Sequence, residues 1–123
     1  MIVKKSIASL ASFTAGDATL IKEVLHPKQE GLPINYSLAQ AQLAPGAASY
    51  PHILEKQSEL YIFLQGTARV FVGEETSTAQ AGDIVWIPPG VKQWVQNTGD
   101  TDLVFFCIVD PPWQKENEQI LED

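Results

Sequence analysis

The chain has 123 residues, enough for one domain with one core. Hydrophobic residues make up 45% and charged residues 19%, which argues against a disordered chain, and no apolar run reaches the roughly 18 residues of a membrane span. Eight basic against 15 acidic residues give a net charge of -7, which argues against nucleic acid and membrane as partners because both require a basic surface.

The first eleven residues carry two lysines and scattered apolar residues. Without a continuous apolar stretch they read as a strand or arm rather than a signal peptide, and the cytoplasm is the expected location. Short runs rich in Val, Ile, Leu, Phe and Tyr follow at 19–25, 37–43, 60–65, 68–72, 84–87, 94–97 and 103–109. Their length and spacing predict an all-β sandwich or barrel. Gly66-Thr67 and the segment from Gly73 to Thr76 read as tight hairpin connections. Pro88-Pro89-Gly90 reads as a corner, since two prolines remove two backbone donors from any central strand. Cys107 is the single cysteine, so no internal disulfide can form. Inside an apolar run it reads as a small buried hydrophobe rather than a reactive thiol. After Asp110-Pro111-Pro112, the stretch 113–121 predicts a short terminal helix, with Trp113, Asn117, Ile120 and Leu121 near one face. No linker divides the chain, so residues 1–123 are expected to form a single domain.

Between residues 46 and 97 the pattern becomes specific. Gly46, His52, Leu54, Glu59 and Gly66 are followed by Gly82, Pro88, Gly90, Gln93 and Asn97. This closely resembles the two signature motifs of the cupin superfamily, with motif one at 46–66 and motif two at 82–97. The second histidine of the first motif is here Leu54, and the histidine of the second motif is Gln93. The layout looks like the small single-domain cupins grouped as mannose-6-phosphate-isomerase-like. The resemblance implies a double-stranded β-helix, a jelly-roll barrel, with a short helical or irregular C-terminal segment. It also implies a homodimer.

Period-two geometry places the candidate residues. On strands, His52 and Leu54 share one face, as do Glu59, Tyr61 and Phe63, and likewise Gln93 and Val95. If Glu59 points into the barrel, then Tyr50, Leu54, Tyr61, Phe63, Gln93 and Val95 are candidate substrate-binding residues. Trp94 alternates with Gln93 and would face outward, where a subunit contact would suit it.

In typical cupins three histidines and the glutamate hold Mn, Fe, Ni or Zn. The resemblance therefore implies His52, Glu59 and Gln93 as metal ligands, a weakened set in which the amide is a poor donor for these metals. The metal is expected to be weakly held or absent. His52 and Glu59 are also the candidate catalytic residues, as an acid–base couple; the alternative is a structural polar pair. His26, the other histidine, reads as a turn histidine or a substitute ligand near the mouth. The functional expectation is a cupin that handles a small organic molecule, as a metal-assisted isomerase, lyase or oxygenase. The alternatives are a non-catalytic sensor or storage cupin and a structural dimer with a relic pocket. Scarcity of basic residues disfavours a phosphosugar substrate.

Overall fold

Residues of β propensity alternate between inward and outward faces along most of the chain, and two antiparallel sheets result. The computed structural model describes residues 2–121, so Met1, Glu122 and Asp123 of the expected domain lie outside the described residues. In chain order the strands are β1 (Phe13–Thr14), β2 (Leu20–Leu25), β3 (Ser37–Leu43), β4 (His52–Leu54), β5 (Ser58–Gln65) and β6 (Thr67–Val72). They continue with β7 (Glu75–Gln80), β8 (Ile84–Ile87), β9 (Gln93–Asn97), β10 (Leu103–Asp110) and β11 (Glu118–Ile120). One sheet has the order β1-β2-β3-β10-β5-β8 and the other β11-β4-β9-β6-β7. Strands that follow one another in the chain often sit in different sheets, as a jelly roll requires.

The inward residues of both sheets form one core. Phe63 and Phe105 meet at 5.2 Å between ring centroids, and Tyr61 stands edge-on to Phe105 at 5.2 Å. Ala68 and Val70 on β6, Val95 on β9 and Leu103 on β10 complete the packing. The second motif secures the turn between β9 and β10. Buried Asn97 donates to the carbonyls of Leu43 and Thr101, and its side-chain oxygen accepts from the Gly99 amide.

Two expectations are corrected. Gly66 does not close a hairpin, because β5 and β6 belong to different sheets. It turns the chain between them at φ +89°, where a Cβ would lie 3.0 Å from the Asp102 carbonyl oxygen. The C-terminal stretch is not a regular helix: a single 3-10 turn at Lys115–Asn117 leads into β11. The free edge of β4 offers unpaired backbone groups, and pairing there satisfies Glu118–Ile120 better than an isolated helix would. Polar β7 carries little hydrophobic alternation, and its pairing with β6 rather than its composition makes it a strand. The N-terminal stretch behaves as an arm. Phe13 and Thr14 pair with β2, and Lys5 donates to the Val24 carbonyl and bridges to Glu30.

Candidate functional site

A cavity of about 170 Å3 lies between the sheets, toward the end framed by β1, β4 and β11. Each polar side chain on its wall arrives there through strand register. On β5, Glu59 and Tyr61 point inward with Phe63, as period two dictates. Val109 and Glu59 are register partners, and Cys107 faces Tyr61 across β10. On β4, His52 and Leu54 are both buried and both line the cavity. Glu118 on β11 stands directly opposite Leu54, so its carboxylate projects to the same face. An irregularity in the β2–β3 pairing after Glu23 leaves both Glu23 and His26 on the wall.

The two histidines are held differently. A carbonyl can only accept, so His52 Nδ1–H donates to the Tyr50 carbonyl at 2.9 Å. That bond leaves Nε2 on the cavity side, 3.9 Å from Asp17 Oδ2. His26 Nδ1 accepts from the Lys28 amide, capping the short helix Pro27–Glu30, and its Nε2 contacts the Trp113 carbonyl at 2.9 Å. With both nitrogens engaged, buried His26 has no lone pair to give a metal or a proton. It ties the C-terminal segment to β2 and is neither a ligand nor an exposed turn residue.

The acidic residues set the electrostatics. Glu59 is buried, and its Oε1 has no hydrogen-bond partner. Burial raises its pKa from 4.5 to about 7, with Asp17 adding to the rise and His52 opposing it. Desolvation also raises Glu118, again with His52 opposing and Asp17 reinforcing. The Cys107 thiol is pushed well above its ordinary value by burial and by Glu59, which keeps it protonated and unreactive. Asp17 is fixed by a tight turn in which Oδ1 accepts from the amide and hydroxyl of Thr19.

The candidate residues named from sequence take different positions. His52, Leu54, Glu59, Tyr61 and Val95 line the cavity together. Phe63 lies one pleat deeper, in the aromatic core. Tyr50 precedes β4, is 44% exposed and is not among the lining residues. Gln93 faces inward, paired with His52 in register, but its Oε1 accepts from the Tyr61 hydroxyl behind the wall. That bond takes one of the two lone pairs of the amide oxygen, and Gln93 is not among the residues that line the cavity. Lys56 and Lys92 are exposed and do not line the cavity. Trp94 points outward and stacks on Phe71 at 3.6 Å between centroids. Asp17, Glu23 and Glu118 are the site residues that the motifs do not contain.

These residues do not fit the divalent centre that the motif implies. Leu54 is apolar and Gln93 is engaged by Tyr61. No three His, Cys, Asp or Glu side chains among the described residues converge closely enough to hold a metal ion.

Comparison with known proteins bears on the motifs directly. The Cupin domain family matches residues 39–109, the stretch from β3 through β10. The chain is a cupin. This cupin is 29% identical over 122 residues to an uncharacterized protein of Methanocaldococcus jannaschii, covering 98% of this chain and 96% of that one. It is 29% identical over 90 residues to an oxalate-binding protein of Thermotoga maritima, covering 73% of this chain and 69% of the relative. Among solved structures, a predicted oxalate decarboxylase of Thermotoga maritima superposes with a TM-score of 0.77 at 20% identity. That match covers 90% of this chain and 99% of the other, and it supports the fold alone. An oxalate decarboxylase of Lactobacillus farciminis, solved as a formate complex, gives a TM-score of 0.80 at 25% identity. This cupin matches it over 93% of its own length and about a third (34%) of that chain.

Proposed function

We propose that this cupin binds a small organic molecule in the cavity through its own side chains, without a resident divalent metal. The observation that carries this is Glu59. A buried carboxylate oxygen without a partner is destabilising, and its retention at the floor of a cavity makes sense when a ligand group meets it. The surrounding wall of Leu54, Val95, Phe105 and Val109 would hold an apolar body. An engineered apolar cavity of about 150 Å3 takes benzene, so the ligand here is of comparable size, about six to eight non-hydrogen atoms.

The Thermotoga relative is named for oxalate, but oxalate suits this cavity poorly. Among the described residues four carboxylates line it, and neither Lys nor Arg does. A dianion without a metal would meet only like charge. The same balance weighs against a phosphosugar.

A second reading, metal-free proton transfer, is favoured by the free Nε2 of His52 beside a glutamate that titrates near neutrality. Glu59→Gln separates the two: loss of turnover with unchanged affinity for a neutral ligand indicates catalysis.

The protein is further proposed to act in the cytoplasm; among the described residues no helix is long and apolar enough to cross a membrane. A homodimer is proposed through the outer face of the β5–β8–β10 sheet rather than through Trp94. Ile84 and Trp86 are there 65% and 59% exposed, beside outward Leu64 and partly covered Ile62 and Phe106.

The test is an amide NMR titration with benzyl alcohol. We expect shifts at Tyr61, Val95 and Cys107, and their loss in Ala41→Leu or Ala39→Leu, which fill the cavity. Shifts confined to surface amides, or unchanged in both filled variants, would contradict a cavity site.

A further inference from the structure

The polar atoms left free on the cavity wall are almost all acceptors. Asp17, Glu23, Glu59 and Glu118 contribute four carboxylates. The Oε1 atoms of Glu23 and Glu59 are both buried without partners. His52 spends its Nδ1 proton on the Tyr50 carbonyl, and its Nε2 faces Asp17 Oδ2 at 3.9 Å. The available donors are already used. Tyr61 donates to Gln93, Thr19 to Asp17 and His26 Nε2 to the Trp113 carbonyl. The Trp113 indole donor lies with Glu118, and the Cys107 thiol with Glu59. Among the described residues only the hydroxyl protons of Ser37 and Ser49 remain, since those oxygens already accept the amides of Trp113 and Val95.

A ligand that satisfies such a wall must bring its own donors. A neutral hydroxyl brings one proton, and a carboxylate brings none and adds like charge. A primary ammonium brings three protons and a positive charge. Its hydrogen bonds to carboxylates are charge-assisted and roughly twice as strong as those of a neutral donor. The rings of Tyr61, Phe105 and Trp113 on the same wall would add attraction to a cation lying over their faces.

We propose that the cavity selects a small organic cation, a primary amine on a compact apolar body, with the ammonium group among Asp17, Glu59 and Glu118 and the body against the aromatic wall. This rests on the reading of the cavity as a ligand pocket and names the ligand class for it. The carboxylates come from three separate elements. Asp17 sits in the turn after β1, Glu59 on β5 and Glu118 on β11, so the selectivity is built by the closure of both chain ends over the barrel.

Three probes of similar shape and different charge test it: benzylamine, benzyl alcohol and benzoate, titrated into the full chain at pH 7.5 and followed by amide NMR. Benzylamine is expected to bind at least tenfold more tightly than benzyl alcohol, and benzoate more weakly than either. Asp17→Asn keeps the Oδ1 acceptor of its turn, and Glu59→Gln keeps the side-chain shape. Each should weaken benzylamine at least fivefold and leave benzyl alcohol within twofold. Equal affinities for benzylamine and benzyl alcohol would overturn cation selection and leave the pocket itself intact. Tight benzylamine binding that neither variant reduces would also overturn it, by placing the amine outside the carboxylate cluster. Absence of cavity shifts with all three probes would overturn the pocket reading and the cation proposal together.

Discussion

Replacing Glu59 with Gln should stabilise the protein, and more so as pH rises. In the folded state Glu59 is buried and its pKa is raised to about 7 from the ordinary 4.5. The protonated form is therefore favoured in the native state, and the unfolded chain loses that proton first as pH climbs. Between those two values the unfolded state binds fewer protons, so stability falls with rising pH. The gap between 4.5 and about 7, at about 1.4 kcal/mol for each pH unit, amounts to about 3 kcal/mol by pH 8 and under about 1 kcal/mol at pH 5. Gln has nearly the same shape and no charge to desolvate, so it removes this dependence. Urea denaturation of both proteins at pH 5, 6.5 and 8 measures the difference, which should widen in favour of the variant by roughly 2 kcal/mol over that range. A difference that stays constant with pH would mean that Glu59 carries no desolvation penalty in the fold. The residue would be poised for function at the expense of stability, as buried charges in binding sites commonly are.

Other outcomes follow from the same geometry. Tyr61→Phe leaves Gln93 Oε1 buried without its donor and should destabilise by about 1–3 kcal/mol in urea denaturation. Leu54→His combined with Gln93→His should create a tight zinc site with His52 and Glu59, at least a hundredfold tighter than the unaltered chain by calorimetry. No gain in affinity would mean that these positions do not converge. Trp86→Lys should shift the sedimentation coefficient from dimer to monomer, and an unchanged dimer would move the interface elsewhere.

The part of the site that was legible in the sequence is the part fixed by local periodicity. His52 and Leu54 share a face because they are two apart on a strand, and Glu59 and Tyr61 do so for the same reason. Phe63 shares that face too, but distance along the strand carries it past the cavity into the aromatic core, and periodicity alone holds no depth. The motif spacing likewise gave the barrel and its corner residues, including Asn97. What the sequence concealed depends on partners far along the chain. Glu118 reaches the wall only because β11 pairs with β4 in a register that sets it opposite Leu54. As a stretch of polar residues ending in Ile and Leu, that segment reads locally as a helix. Asp17 is displayed by a turn whose backbone carbonyl binds the Tyr50 amide, a contact across 33 residues that composition does not announce. His26 is buried by the Trp113 carbonyl, again from the opposite end of the chain. The Asp-Ala-Thr turn after Gly16 is the local signal that was available, since Asp followed two residues later by Thr favours a side-chain-bonded turn. The loss of Gln93 to Tyr61 is a side-chain choice that only the folded geometry reveals.

On this proposal the cavity holds its ligand with protein side chains alone. The most direct test is the affinity of untagged protein for benzylamine before and after exhaustive metal stripping with a chelator, followed by readdition of Mn2+ or Zn2+. We expect the same dissociation constant, within twofold, in all three states. Binding that is lost on stripping and restored by either metal would contradict the claim and return His52 and Glu59 to the role of metal ligands.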